Sequence, residues 1–333
     1  GLVKKPKMLK DNFNRVHDYL RISLTDKCDL RCFYCMPDEE YQFTPTSNLM
    51  SSDEIESIVK IFVQQGVKKI RLTGGEPLVR KDAAEILARL SQFDIELTLT
   101  TNGTQLHNFV EVIKESGIQS LNISLDTLQK DRFQLMTKRD VFDRVKSNID
   151  LMLAHSIAVK MNVVLIKGVN DDEINDFIRL TETKPIHVRF IEFMPFDGNR
   201  WNSSKVVKLS EILETVSSEF DIIPLERSQH ETAKKFRIAG HQGTFAVIST
   251  MSAPFCGDCN RIRLTADGKM KNCLFSTSET DLLTPFRQGE DILDKILHNI
   301  SIKKEALGGQ FTTAIEKIEA SQLQNRSMIS IGG

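Results

Sequence analysis

The chain has 333 residues, with 45 Asp plus Glu against 44 Lys plus Arg and a net charge of −1 when histidine is neutral. That length supports one large domain or two ordinary ones, and 40% hydrophobic with 27% charged residues excludes a disordered or low-complexity chain. No apolar run approaches the roughly 20 residues of a membrane span. The Lys-rich start (Lys4, Lys5, Lys7, Lys10) lacks the apolar core of a signal peptide, and balanced charge gives no general attraction to nucleic acid. The expectation is a cytoplasmic protein with no nucleic-acid or membrane partner.

From residue 19 to about 193, short β-branched runs alternate with stretches of helical period, the signature of repeated βα units. Strands are predicted at 19–25, 68–73, 96–101, 120–125, 159–166 and 187–193, and helices near 52–65, 81–92, 104–116, 140–155 and 171–182. Ser52, followed by Ile55, Ile58, Val59 and Phe62, reads as the capped start of a helix that buries one face. Six parallel strands with right-handed crossovers curl without closing, since closure normally takes about eight. The expected fold class is therefore α/β, an incomplete (β/α)6 TIM-like barrel. After about residue 195 the rhythm changes to a helix near 208–219 and short strands near 221–226, 233–238 and 244–250. A hairpin over 261–272 turning at Asp267-Gly268 and two helices near 280–305 follow. This C-terminal α+β extension is expected to close the open side, dividing the chain into 15–195 and 196–333.

The six cysteines form two groups: Cys28, Cys32 and Cys35, then Cys256, Cys259 and Cys273. Two triplets suit metal or redox ligation better than disulfides in a chain with ample core. The first has C-x3-C-x2-C spacing directly after the first strand, at the barrel end where active sites lie. Three thiolates can wrap a small inorganic cluster and leave one metal position for a ligand; the alternative is a zinc knuckle that borrows His17 or His107. The second group, C-x2-C-x13-C, again leaves one position open, unless a fourth ligand makes it a structural zinc ribbon.

Thr73-Gly74-Gly75-Glu76-Pro77 follows the second strand, where paired glycines permit positive φ and close backbone approach to a ligand, and Glu76 can accept from an ammonium group. Lys69 and Arg71 share a face of the second strand; Arg21, Lys160 and Arg189 lie on strands one, five and six; Arg261 and Arg263 share a face beside the second cysteine group. Side chains inside a parallel barrel are normally apolar, so these cations point to a polyanion in the lumen. With no G-x-x-x-x-G-K-[ST] run, a P-loop is excluded.

The cysteine motif with an aromatic before its last Cys, GGEP, TTNG (100–103), RFIEFMP (189–195), FCGDCNRIRLTADGKMKNC (255–273) and the terminal Gly-Gly complete a pattern. On these motifs the sequence resembles the radical S-adenosylmethionine superfamily and, over nearly its whole length, the GTP 3′,8-cyclase family within it. The resemblance implies a lyase that forms a carbon-carbon bond, converting GTP to 3′,8-cyclo-7,8-dihydroguanosine triphosphate in the first step of molybdenum cofactor biosynthesis. It implies two 4Fe-4S clusters and S-adenosyl-L-methionine as cofactors. By the same resemblance, Cys28, Cys32 and Cys35 hold the first cluster and Cys256, Cys259 and Cys273 the second. Tyr34, Gly75, Glu76, Ser124 and Met194 fall to S-adenosylmethionine, and Arg21, Lys69, Arg71, Thr100, Lys160, Arg261 and Arg263 to GTP. Arg189 and the tail glycines Gly332 and Gly333 take the catalytic assignment. The implied partners are a downstream cyclic pyranopterin monophosphate synthase, a reduced electron donor and a second copy of the chain as a homodimer. Lys27, Asp29 and Asn14 stand where the family has mostly Arg, Asn and Gly, and none is at a ligand position. Two other readings share the cysteines: a radical enzyme of another kind with an auxiliary cluster, such as a peptide-modifying one, and a non-catalytic zinc-binding module.

Overall fold

The computed structural model describes residues 8–35, 41–196, 199–226, 233–249, 259–276 and 278–303. Five βα crossovers link six strands: β1 (Tyr19–Ser23), β2 (Lys69–Thr73), β3 (Glu96–Thr101), β4 (Ser120–Ser124), β5 (Ala158–Leu165) and β6 (Ile186–Glu192). The helices between and after them are α1 (Ser52–Gln64), α2 (Ala83–Leu90), α3 (Val110–Glu115), α4 (Lys130–Thr137), α5 (Phe142–Ala154) and α6 (Ile174–Thr183). There follow α7 (Leu209–Ser217), β7 (Ile222–Pro224), β8 (Ala233–Ile238), β9 (Thr244–Ile248), β10 (Arg261–Leu264), β11 (Lys269–Lys271), β12 (Thr280–Asp281), α8 (Leu283–Arg287) and α9 (Leu293–Ser301).

Among the described residues the twelve strands form one sheet in the order β12-β11-β10-β1-β2-β3-β4-β5-β6-β9-β8-β7. β1 to β6 are parallel neighbours in sequence order, as the βα rhythm requires. Among the described residues the terminal strands β12 and β7 do not pair with each other, so the barrel is incomplete, as expected. The extension contributes to both edges of the sheet: β10 runs parallel to β1 and β9 parallel to β6, each followed outward by antiparallel strands. The hairpin of β10 and β11 turns where expected, with Gly268 at φ 75°, a conformation glycine adopts freely.

Period-two alternation sorts the parallel strands into two faces. One lateral row runs Leu264, Ile22, Leu72, Leu99, Leu121, Val159, Ile186 from β10 to β6, every member buried in the main core. Against it pack Ile55, Ile58, Val59 and Phe62 of α1 and Ala83, Ile86, Leu87 and Leu90 of α2. Helix α1 begins at Ser52, and its cap is the preceding residue: the Ser51 hydroxyl accepts from Glu54 N while the Glu54 carboxylate accepts from Ser51 N. This capping box corrects the expected start by one residue. The β4–β5 crossover holds α4 as well as the predicted helix near 140–155; α4 buries Phe133 and Met136 but leaves Leu135 81% exposed, which blurs its apolar stripe. No helix among the described residues is long and apolar enough to cross a membrane.

Candidate active site

The opposite face of the sheet is polar, and its rows line a cavity of about 610 Å³. Register places Arg263, Arg21, Arg71 and Thr98 side by side across β10, β1, β2 and β3. A second row runs Thr100, Asn122, Lys160 and His187, and a third Ser124, Asn162, Arg189 and Ala246. Buried with no hydrogen-bond partner are Arg21 Nε, Thr100 Oγ1, Asn122 Oδ1 and Asn162 Oδ1, all on residues that line this cavity. Such a set costs free energy unless a polar ligand completes it.

Strand direction fixes where the cysteines lie. Cys28, Cys32 and Cys35 follow the C-terminal end of β1, whereas Cys259 precedes the N-terminal end of the parallel β10. Cys273 follows β11, which runs antiparallel to β10, so it returns to the end occupied by Cys259. All five are free thiols and all line the one cavity, a group at each end with the cationic rows between them. This removes the disulfide alternative for these five; Cys256 lies outside the described residues.

Neither histidine offered to a zinc knuckle turns to the first group. His17 Nε2 is 2.8 Å from Asp11 Oδ2, and His107 Nδ1 is 3.1 Å from Asn148 Nδ2. Among the described residues no group of three or more His, Cys, Asp or Glu converges on one ion position. An iron-sulfur cluster presents its irons at separate corners, one thiolate to each, so it needs no such convergence. Cys28 Sγ accepts from Leu30 N at 3.4 Å and from Asn102 Nδ2 at 3.7 Å. Burial and the neighbouring Cys32 push the Cys28 thiol well up, so that charge there calls for a cationic group. Burial also opposes ionisation of Cys259, but Arg261 and Lys303 outweigh it and bring this thiol down to about 6.

The glycine turn works differently from expectation. Neither Gly74 nor Gly75 has positive φ. Gly75 is required because a Cβ there would stand 2.1 Å from Lys27 O; its N–H donates to Thr25 O at 2.8 Å and Glu76 N to Lys27 O at 2.8 Å. The turn is thus bound edgewise to the chain that enters the first cysteine loop, and both glycines line the cavity. Glu76 does not line it. Its carboxylate, fully buried, accepts from Leu78 N at 3.2 Å, Thr101 Oγ1 at 2.7 Å and Asn102 N at 2.6 Å, while burial pushes its pKa up to about 7. Glu76 thus ties the β2 and β3 turns together. Glu76→Gln places an amide against these N–H and O–H donors and is expected to cost about 1–3 kcal/mol, read as a lowered midpoint in urea unfolding.

Tyr34, Ser124 and Met194 all line the cavity at the end of the first cysteine group. Tyr34 donates its hydroxyl to Asp126, whose carboxyl is pushed up to about 6 by burial. Two of the departures from the family pattern have local reasons. Asp29 accepts from Asn102 Nδ2 at 2.8 Å and from Thr104 Oγ1, stapling the cysteine loop to the turn after β3. Asn14, at φ 61°, occupies the left-handed region that asparagine tolerates better than most residues.

Seven of the eight cations and polar residues expected around a polyanion, Arg21, Lys69, Arg71, Lys160, Arg189, Arg261 and Arg263, are basic, and with Thr100 all eight line the cavity. Burial lowers Arg21 and Arg189 to about 10 and Arg263 to about 9. Lys160 falls to about 8 through burial and repulsion from Arg189, Lys69 and Arg71. Such mutual opposition is a standing demand for anionic charge. Sequence reasoning missed Tyr19, Asn122, Asn162 and His187 in the same lining. Each lies two residues from a predicted site residue on its strand, so the same-face rule could have found them. Gly332 and Gly333 lie outside the described residues.

The chain matches the Radical SAM superfamily model over residues 22–181 and the Molybdenum Cofactor Synthesis C model over 186–308. It is 47% identical over 335 residues to a mitochondrial GTP 3′,8-cyclase of Arabidopsis thaliana, covering 98% of this chain and 84% of that one. A GTP 3′,8-cyclase of Listeria monocytogenes is 41% identical over 333 residues, covering 98% and 99%. Molybdenum cofactor biosynthesis protein 1 of Homo sapiens is 44% identical, but the chain spans only 51% of its length. Among solved structures, Streptococcus suis SuiB bound to S-adenosylmethionine superposes with a TM-score of 0.59 over 86% of this chain and 67% of that one, at 18% identity, a likeness of fold alone. With two relatives above 40% identity covered along most of their length, and a cationic lumen set between two cysteine groups, the chain belongs to the GTP 3′,8-cyclase family of radical S-adenosylmethionine enzymes.

Proposed function

We propose that this chain cyclises GTP to 3′,8-cyclo-7,8-dihydroguanosine triphosphate, the first step of molybdenum cofactor biosynthesis. The observation that carries the reading is the set of buried cations lining one cavity with free cysteines at both ends. When bound, an iron-sulfur cluster with S-adenosylmethionine supplies a 5′-deoxyadenosyl radical for hydrogen abstraction. In this reading Cys28, Cys32 and Cys35 hold that cluster, and Tyr34, Gly75, Glu76, Ser124 and Met194 position the cofactor. Arg21, Lys69, Arg71, Lys160, Arg261 and Arg263 clamp the triphosphate, with Thr100 as a hydroxyl partner. Their work is orientation: several cations at fixed spacing bind one polyanion in one pose and keep water from the reacting ribose. Cys259 and Cys273, with Cys256, hold a second cluster at the far end of the lumen, and Arg189, Gly332 and Gly333 serve the cyclisation. Residues 15–195 form the barrel part and 196–333 the extension. The product passes to a cyclic pyranopterin monophosphate synthase, electrons come from a reduced donor, and the chain works in the cytoplasm as a homodimer.

The test is anaerobic reconstitution with iron and sulfide, then incubation with S-adenosylmethionine, dithionite and GTP. Roughly eight irons per chain and 5′-deoxyadenosine formed only with GTP are expected, with a nucleotide that the synthase converts to a pyranopterin. Cofactor cleavage indifferent to GTP would discard the substrate, and zinc in place of iron the whole mechanism.

A further inference from the structure

Tyr19 opens β1 on the lumen face, in register with Arg261 of β10 and Lys69 of β2. Its hydroxyl oxygen accepts from Arg71 Nε at 2.6 Å. Its ring lies 4.8 Å from Lys69 Nζ and 5.9 Å from Arg21 Cζ, distances at which a ring face attracts a cation. Arg71 Nη1 is turned to Leu99 O at 3.3 Å and Thr98 Oγ1 at 3.5 Å, which leaves Nη2 for a ligand. One aromatic side chain thus touches three cations, in a lumen where charges of one sign crowd together.

We propose that Tyr19 is a positioning residue: it holds Arg71 at the angle a triphosphate needs and stands in as the cations' partner while the lumen is empty. The inference rests on reading the lumen as a nucleoside triphosphate site. Facing the phenol are Arg21 on its own strand, Lys69 and Arg71 on β2, Arg261 and Arg263 on β10, and Arg189 on β6; Glu96 on β3 pairs with Lys69 at 3.7 Å. Burial raises the phenol's pKa, but Arg21, Arg71 and Lys69, together with the Arg71 hydrogen bond, outweigh it and bring it down to about 7. An arriving polyanion reverses that balance, because it neutralises the cations and adds negative charge beside the ring. The phenol then holds its proton. Above about pH 7, binding must therefore take up one proton at Tyr19, and below it none.

The experiment compares the dissociation constants of GTP for the reconstituted wild type and Tyr19→Phe, without S-adenosylmethionine or reductant, between pH 6 and 8. The ratio of variant to wild type cancels the titration of the nucleotide's own terminal phosphate. At pH 6, where only the hydrogen bond to Arg71 is lost, the variant should bind about three- to tenfold more weakly. By pH 8 the ratio should have fallen roughly tenfold, since only the wild type protonates a phenolate on binding. A ratio that is flat across this range overturns the proposal whatever its value. Inorganic tripolyphosphate, run in parallel, carries the anion without the base and should show the same fall. Should GTP fail to bind the wild type while tripolyphosphate shows the fall, the GTP reading is lost and the role of Tyr19 stands.

Discussion

Cys32→Ala is expected to reduce 5′-deoxyadenosine formation to the level of a protein-free control. The reconstituted variant should carry roughly half the iron of the wild type, because one cluster goes and the other stays. The fold should survive. Cys32 is half-buried; its carbonyl, which accepts from Cys35 N at 3.3 Å and Cys35 Sγ at 3.6 Å, is kept by alanine, and only the local side-chain contacts with Cys35 and Tyr34 go. Iron content, deoxyadenosine and thermal melting together check the expectation. Full iron with normal cofactor cleavage would remove Cys32 from the ligand set.

Lys160→Met should produce two effects of opposite sign. GTP affinity should fall about 10- to 150-fold, the equivalent of about 1.5–3 kcal/mol for a hydrogen bond to a charged group. The empty protein should melt higher. The sign follows from the lowered pKa: a lysine at about 8 in the fold, below its ordinary value of 10.5, is destabilising while charged. That cost is fully present below about pH 8 and disappears as pH rises to 10.5, so the gain in melting temperature belongs near pH 7 and shrinks toward alkaline pH. The same titration steepens the fall of wild-type GTP affinity above about pH 8, a contribution the methionine variant lacks. A variant that binds GTP as the wild type does would take Lys160 out of the clamp.

The sequence carried the strands because period two and period 3.6 are local signals, and each of the six barrel strands lies within two residues of its predicted range. It also carried the cations, since a charge on a strand with an apolar opposite face has to be explained. Partners were harder. Nothing local in Thr244–Ile248 or Arg261–Leu264 says that these strands add to opposite edges of the barrel, because register is settled by chain segments far away. Glycine spacing was legible but its reason was not: Gly75 accommodates the Lys27 carbonyl, a contact that exists only once β1 and β2 lie side by side. Glu76 shows the same limit of spacing arguments. A carboxylate in a turn is an acceptor for whatever donors the fold brings to it, and here the fold brings Leu78, Thr101 and Asn102.

The attachment of β9 and β10 to opposite edges has a consequence for how the molecule is made. Asn260 bonds Asp18 across 242 positions of chain, the kind of closure that comes late in folding because its loop entropy is lost before any contact rewards it. A nascent chain that has emerged only as far as residue 195 has its six parallel strands but offers β1 and β6 as two unpaired edges, open to pairing with other chains. Synthesis therefore passes through an interval in which the half bearing the first cysteine group is most prone to aggregate, and it ends only when the later strands dock. Cys259 directly precedes one of those strands, so the segment that seals the sheet also delivers a thiol to the far end of the lumen.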